Sequence, residues 1–360
     1  MARSRSRTNN QSVAAVARQV EVGRDAEAAR LRDELSSVRK KYESAIRQLD
    51  AERSRADTLV GLRGIKAVHR PAAKPKKRGK NPATMVVLVS DVHCEEPVSY
   101  AETNGLNQYS LDICDRRLAE LQSRFFALLE HERQLADIGR VVIWFGGDMI
   151  SGHIHEELAE TSQLAPLAAC RWIGGRMRSF VDAVSENADE VVVATSSGNH
   201  GRSTPKLRCQ TELDHSFEQN LYLMMAAAET KPNVRWQVAE GELNYVDVDD
   251  FTIRFLHGFS IKYSGGVYGL ALPAMKAISA WDASRRASLT CFGHYHSFGW
   301  LRGGRYVSNG SVIGHSSYTV RIKAGFEAPC QAAVVIDHSR NEVTKAMPIW
   351  CDRDLRESKK

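Results

Sequence analysis

Residues 86–93, VVLVSDVH, form a run of apolar residues that ends in an aspartate and a histidine two positions apart. A short apolar run closed by polar residues is typical of a strand that is buried on both faces of its sheet. Asp91 and His93 would then emerge together from the carboxyl end of this strand, where open α/β sheets bind their ligands. Asp-x-His alone is a weak signal, because many chains contain it in an ordinary turn.

The same pattern recurs further along the chain. Three more apolar runs end in side chains that can bind a metal ion: VVIWFGGD at Asp148, VVVATSSGNH at Asn199 and His200, and LTCFGHYH at His294 and His296. A fifth run, TIRFLHG, carries His257. Any single histidine is more often a structural or surface residue than a ligand. That explanation would have to hold for all five runs at once.

In type and order these motifs resemble those of the calcineurin-like metallophosphoesterases: Asp-x-His, Gly-Asp, Gly-Asn-His, a lone His and Gly-His-x-His. The resemblance spans about residues 85–311, and residues 151–155 and the GNHGR at 198–202 look most similar to phage and prokaryotic members. It implies an α/β fold in which two β-sheets pack face to face, flanked by helices in four αββα layers.

The resemblance also implies a ligand set for two divalent ions. The first ion would take Asp91, His93 and His296, the second Asn199, His257 and His294, and Asp148 would bridge them. Oxygen and imidazole ligands without thiolates suit manganese above all, with iron, zinc or magnesium as alternatives. Two such ions lower the pKa of a bridging water and align a hydroxide for attack on a phosphodiester. His200 would then donate a proton or hydrogen bond to the leaving oxygen.

Two departures from the family's protein phosphatases disfavour phosphoprotein as the substrate. Those enzymes follow Gly-Asp with an aspartate that orients the catalytic histidine and then an arginine, whereas this chain has Ser151 and Gly152. They also follow Gly-Asn-His with an acidic residue, where this chain has Gly201 and Arg202. His200 must therefore be oriented by another group.

Three nearby side chains are candidates for contact with the substrate: Arg202, His153 and His155. The guanidinium of Arg202 could form paired hydrogen bonds to a phosphate oxygen. The two histidines follow Asp148 closely enough to line the same cleft. An ordinary surface-loop role is about as well supported for each of them.

Charge divides the chain into two parts. Residues 1–81 hold 21 of the 49 basic residues but only 9 of the 43 acidic ones, so the rest of the chain is acidic on balance. The domains expected are a basic N-terminal segment at 1–64, a basic linker at 65–84, a catalytic domain at 85–350 and a polar tail at 351–360. A basic arm favours a nucleic-acid partner through its phosphates.

Within the first segment, residues 28–59 carry apolar side chains at alternating steps of three and four. This spacing predicts a coiled-coil helix that forms a homodimer or binds a partner helix. The alternative is a single amphipathic helix that lies on the catalytic domain. Beyond residue 85, helices are expected near 111–128, 165–184, 214–229 and 270–284, and strands near 141–145, 191–195, 244–248 and 252–256. The stretch from residue 290 is expected to be mostly β.

The remaining composition points to the cytoplasm, or to the host cytoplasm if the chain is phage-encoded. No apolar run approaches the ~18 residues of a membrane helix, and the N-terminus lacks a signal-peptide core, so no membrane partner is expected. Seven cysteines without paired spacing favour a reducing compartment.

Three functions from different classes remain open. The first is a metal-dependent phosphodiesterase that acts on nucleic acid. The second is a phosphatase or phosphodiesterase for a nucleotide or another small phosphoester. The third is a coiled-coil scaffold with a degenerate phosphoesterase domain, which the presence of all seven ligand types and His200 disfavours.

Overall fold

The structure is a computed structural model and describes residues 27, 30–49, 81–264, 269–301, 303–352 and 355. The chain divides into two compact units, Met1–Leu59 and Val60–Lys360. In the first unit, residues 30–49 form helix α1. Most of the expected linker, the end of the expected coiled coil and most of the polar tail lie outside the described residues, so the domain boundaries stay predictions.

The second unit contains two β-sheets. The first sheet has six strands in the order β11-β10-β1-β2-β3-β4, formed by β1 (Pro82–Val89), β2 (Asp137–Phe145), β3 (Glu190–Thr195), β4 (Val234–Gln237), β10 (Cys330–Asp337) and β11 (Glu342–Trp350). The second has five in the order β5-β6-β7-β9-β8, formed by β5 (Asn244–Val248), β6 (Phe251–Leu256), β7 (Leu289–Phe292), β8 (Gly299–Leu301) and β9 (Tyr306–Ser308).

The described part of the second unit also contains six α-helices. They are α2 (Leu111–Glu132), α3 (Glu156–Thr161), α4 (Pro166–Ser185), α5 (Phe217–Ala227), α6 (Ala271–Asp282) and α7 (Ser317–Arg321). Helix α2 begins after Ser110, whose hydroxyl oxygen accepts a hydrogen bond from the Ile113 amide. Helix α4 begins with a proline, which fits a first turn because the amide it lacks would have no helical partner there. None of the helices that the structure describes is long and apolar enough to cross a membrane.

Strand β1 lies between two hydrophobic cores. Its side chains alternate, so that Met85 and Val87 pack into the core beneath α2, α4 and α5, while Val86 and Leu88 pack into the core between the two sheets. A third core joins α6 to the outer face of the second sheet. These layers run helix, sheet, sheet, helix, and the predicted fold class is therefore confirmed.

The predicted helices and strands of this unit are present with bounds shifted by a few residues. Two short helices were not predicted, α3 with six residues and α7 with five. Neither is long enough to show a helical period in the sequence. Helix α7 instead depends on local hydrogen bonds, a capping box between Ser316 and Thr319.

The topology brings the strand ends together. Strands β1, β2 and β3 are parallel neighbours in one sheet, and β6 and β7 are parallel neighbours in the other. Backbone hydrogen bonds continue beyond the strands: the Val92 amide donates to the carbonyl of Asp148, and the Gly293 amide donates to the carbonyl of His257, each at 2.8 Å. The loops that carry the candidate ligands are thus fixed to one another by main-chain contacts.

Candidate dinuclear metal centre

Six of the seven predicted ligands form two groups of three at these strand ends. Within each group the possible ligand atoms lie within 4.8 Å of one another. The groups are Asp91, His93 and His296, and Asp148, His257 and His294. One atom connects them: Asp148 Oδ2 lies 3.0 Å from His257 Nε2 and 3.9 Å from His93 Nε2. Asp148 is therefore placed between the two groups.

Three buried side-chain atoms of the predicted ligand set make no hydrogen bond: His93 Nε2, Asn199 Oδ1 and His257 Nε2. The short approach of His257 to Asp148 does not have hydrogen-bond geometry. A buried polar atom without a partner costs about 1–3 kcal/mol. Three buried polar atoms without a hydrogen-bond partner, placed around two carboxylates, fit a site for divalent cations. Each bound cation would supply the interaction that these atoms lack.

Hydrogen bonds at the other ring nitrogen fix the tautomers of two histidines. His93 Nδ1 lies 2.9 Å from the hydroxyl of Ser151, which itself donates to Glu96 Oε2 at 2.5 Å. Because that hydroxyl proton is committed to Glu96, Nδ1 of His93 must be the donor in its own bond. His257 Nδ1 likewise donates to the carbonyl of Gly146 at 2.7 Å. In the neutral form, both rings would therefore turn an unprotonated Nε2 toward the site, as metal-binding histidines do.

Backbone strain is concentrated at the same residues. Five of the predicted ligands have a positive φ: Asp91 (54°), His93 (48°), Asp148 (50°), His294 (69°) and His296 (52°). For residues other than glycine this conformation typically costs about 1–3 kcal/mol and clusters at functional sites. The surrounding fold must compensate for this strain.

The loop of Asp148 and the loop of Asn199 are packed backbone against backbone. A Cβ atom on Gly147, whose φ is +83°, would collide with the amide of Gly198, and a Cβ on Gly198 would collide with the carboxylate of Asp148. Only glycine permits this approach. It places the two ligand-bearing loops in direct contact.

The charges of the site hold the carboxylate of Asp148 ionised. Burial opposes ionisation of Asp148, yet the nearby His257 and His200 bring its pKa well below the ordinary value. Burial likewise lowers the pKa of His257, but Asp148 more than reverses this and raises it to about 10. Burial and the charge of His257 lower the pKa of His294 to about 4. A bound cation would take the place of the proton between His257 and Asp148.

His200 lies beside the ligands without belonging to either group. Its ring is 4.7 Å from the ring of His93, and its amide donates to Asp148 Oδ1 at 2.8 Å. His200 Nδ1 lies 3.2 Å from the carbonyl of Ser151 and donates to it, leaving Nε2 for another partner. The main chain at Ser151 thus orients the histidine.

Glu218, on α5, is a residue of this site that the sequence did not reveal. Its fully buried carboxylate accepts hydrogen bonds from the amides of Met149 at 2.6 Å and Gly198 at 2.8 Å. Burial raises its pKa to about 7. It therefore joins the Asp148 loop to the Asn199 loop. No pattern marks it, because its partners are backbone amides 20 and more residues away.

The three predicted substrate contacts do not belong to the two candidate ligand groups. Arg202 donates to the carbonyls of Thr204 at 3.1 Å and Asn199 at 2.5 Å, so it stabilises its own loop. His153 and His155 are exposed, and His155 lies at the start of α3 without capping it. The structure brings neither histidine into the two ligand groups.

No protein-family model matches the chain, and no curated protein matches it either. Solved structures do match at the level of overall fold. An archaeal phosphodiesterase has 11% identity and a TM-score of 0.35, over 73% of this chain and 99% of its own. The phosphoesterase YfcE from E. coli has 12% identity and a TM-score of 0.32, over 74% and 99%. Zinc-bound Vps29 from Entamoeba histolytica has 12% identity and a TM-score of 0.30, over 74% and 99%.

Proposed function

We propose that this chain is a dinuclear metal-dependent phosphoesterase that hydrolyses a phosphodiester. The observation that carries the proposal is the position of Asp148 Oδ2 between two histidine nitrogens that are buried and have no hydrogen-bond partner. Asp91, His93 and His296 would hold one divalent ion, Asn199, His257 and His294 the other, and Asp148 both. When bound, such ions supply positive charge at the phosphate and lower the pKa of the attacking water.

His200 is proposed as the proton donor. Its Nδ1 is committed to the carbonyl of Ser151, so Nε2 is the ring nitrogen that remains to give a proton to the leaving oxygen. The amide of His200 is bound to Asp148, which keeps the ring next to the proposed reaction centre. A positioned general acid at a leaving oxygen typically contributes a factor of about 10²–10⁴ in rate.

The substrate is proposed to be nucleic acid. Residues 1–81 carry 21 basic and 9 acidic residues, and five of the basic ones lie in the run KPKKRGK directly before the catalytic unit. Clustered lysine and arginine neutralise phosphates and release counterions, so they bind nucleic acid without regard to its sequence. A basic arm tethered close to the cleft would raise the local concentration of backbone phosphates there.

Rates on single-stranded DNA, double-stranded DNA, RNA and a small aromatic phosphodiester, with manganese present, test this proposal. Replacement of Lys74, Lys76, Lys77, Arg78 and Lys80 by alanine should weaken DNA binding and flatten its salt dependence, while hydrolysis of the small diester is unchanged. Exchange of lysine for arginine and arginine for lysine at these five positions is the matched control. It should change neither DNA binding nor its salt dependence. Diester hydrolysis without any nuclease activity would contradict the nucleic-acid substrate and leave the phosphodiesterase in place.

A further inference from the structure

We propose that α1 forms a parallel, in-register, two-helix coiled coil with the α1 helix of a second copy of this chain. The inference concerns assembly and does not depend on the proposed activity. It rests on the apolar stripe of α1 and on the charges that flank this stripe.

The stripe is exposed along the whole described helix. Its side chains recur at steps of four, three, four and seven and show large exposed fractions: Leu31 59%, Leu35 71%, Val38 62%, Tyr42 66% and Leu49 48%. The step of seven passes over Ala45, a small residue in the same register. A lone helix of this length is marginal in water, and most helices are stabilised by covering their apolar face.

Charge identifies the occupant of this face. The stripe places Leu35 and Tyr42 at heptad position a, and Leu31 and Val38 at position d. In this register Glu27 and Glu34 lie at position g, and Arg32 and Arg39 lie at position e. In a parallel dimer each g residue meets the e residue five positions later on the other helix. Glu27 would meet Arg32 of the second copy, and Glu34 would meet Arg39 of the second copy.

An antiparallel pair would place the same charges badly. There e residues face e residues and g residues face g residues, so the two arginines would meet arginines and the two glutamates would meet glutamates. Pairs within the helix do not compete strongly: Arg30 contacts Glu34 at 3.0 Å and Arg39 contacts Glu43 at 3.2 Å, with all four side chains more than half exposed. Such exposed pairs are worth little and exchange readily.

The seam would be weak, because Ala45 fills a d position and Tyr42 an a position. This makes the flanking charges important for assembly, and it makes assembly sensitive to changing them. In the full chain, Arg32→Glu with Arg39→Glu should raise the dimer dissociation constant at least about tenfold. The matched control is Lys40→Glu with Arg47→Glu, the same change of charge at the outward f positions, which should leave dimerisation as in the wild type.

Charge reversal on both sides supplies the test. Glu27→Arg with Glu34→Arg should also dissociate the homodimer, and mixing this variant with the Arg32→Glu, Arg39→Glu variant should restore dimers that contain one of each. Sedimentation equilibrium of the full-length chains measures all of these masses. A monomeric wild type, or homodimers that survive both charge reversals, would overturn the proposal, as would a dimer that persists after removal of residues 1–64.

Orientation is tested by a cross-link. Cys209 is the exposed cysteine of the described chain, so Cys209→Ser provides a background in which the remaining described thiols are buried. Leu35→Cys in this background should form an intermolecular disulfide under mild oxidation, because a positions face each other in a parallel, in-register pair. Ser36→Cys, on the outward side, is the control. Equal cross-linking of both variants, or of Ser36→Cys alone, would contradict the parallel seam.

Discussion

At the scale of single residues, the site is marked by buried side-chain atoms that have no hydrogen-bond partner. His93, Asn199 and His257 each leave a buried polar atom without a hydrogen bond. The Nδ1 atoms of the two histidines, in contrast, form hydrogen bonds to Ser151 and Gly146. The ligand types could be predicted because they stand at the ends of apolar runs. The groups that orient them could not, since Ser151 and Glu218 act through tertiary contacts that leave no periodic pattern in the sequence.

The first prediction at this scale separates chemistry from metal binding. His200→Ala should lower the rate of diester hydrolysis by about 10²–10⁴ while the metal content stays at the wild-type level, because His200 contacts Asp148 through its amide but belongs to neither candidate ligand group. His131→Ala, an exposed histidine in the last turn of α2, is the control and should leave the rate unchanged. Parallel loss of metal and rate in His200→Ala would mean that this histidine is a ligand.

A second prediction concerns Glu218. Its removal leaves the amides of Met149 and Gly198 without an acceptor and frees the two loops that carry Asp148 and Asn199. Glu218→Ala should therefore weaken metal affinity about 10–100-fold, the usual effect of losing an outer hydrogen bond at a metal site. Glu218→Gln keeps one oxygen acceptor and should recover part of that loss. Calorimetric titration with manganese measures both, and an unchanged affinity in Glu218→Ala would reject the positioning role.

At the scale of elements, buried strands were the most predictable part of the fold. Residues 86–89 could be read as a strand because each side chain packs into one of two cores, which requires an unbroken apolar run. Helices α3 and α7 escaped prediction because they are too short to have a period. The pairing of β6 with β7, which brings His257 next to His294, depends on register and was implied only by the resemblance.

One partly buried ion pair attaches α6 to the strand that leads to His257. Arg254, on β6, is fully buried and donates to Asp282 Oδ1 at 2.7 Å. Asp282→Asn should lower the free energy of unfolding by about 3 kcal/mol, because it leaves the arginine buried without a counter-charge. The control is Asp247→Asn, which breaks an exposed pair with Arg285 and should cost about 1 kcal/mol or less. Urea unfolding compares them, and equal losses would contradict the argument.

The same ion pair has a pH dependence. Burial raises the pKa of Asp282, but hydrogen bonds from Arg254 and Arg305 outweigh it and bring this pKa below the ordinary value. A carboxyl group with a lowered pKa in the folded state stabilises the fold above its unfolded pKa, and this contribution disappears as the pH falls through the folded one. The gap between wild type and Asp282→Asn should therefore narrow in acid below about pH 4. A gap that widened there would have the wrong sign.

At the scale of the whole molecule, charge divides the sequence near residue 81, whereas the structure divides the chain into two units after Leu59. A basic segment precedes an acidic remainder that contains the candidate ligands, from Asp91 to His296. The ordered motifs made the two-sheet fold predictable through the resemblance. Strand ends within one sheet converge, but each candidate ligand group also joins residues from both sheets, which the sequence implied only through the resemblance. The substrate could not be predicted in this way, since no motif in the chain specifies more than a phosphoester.

Elemental analysis of the reconstituted protein measures whether two divalent ions share Asp148. After exposure to manganese and removal of free metal, the full chain should retain about two ions per chain, and Asp148→Asn should retain almost none, since both groups lose a shared ligand. Asp112→Asn, in the first turn of α2, should match the wild type. A wild type that holds no ion, or an Asp148→Asn variant that still holds two, would show that Asp148 does not bridge two ions.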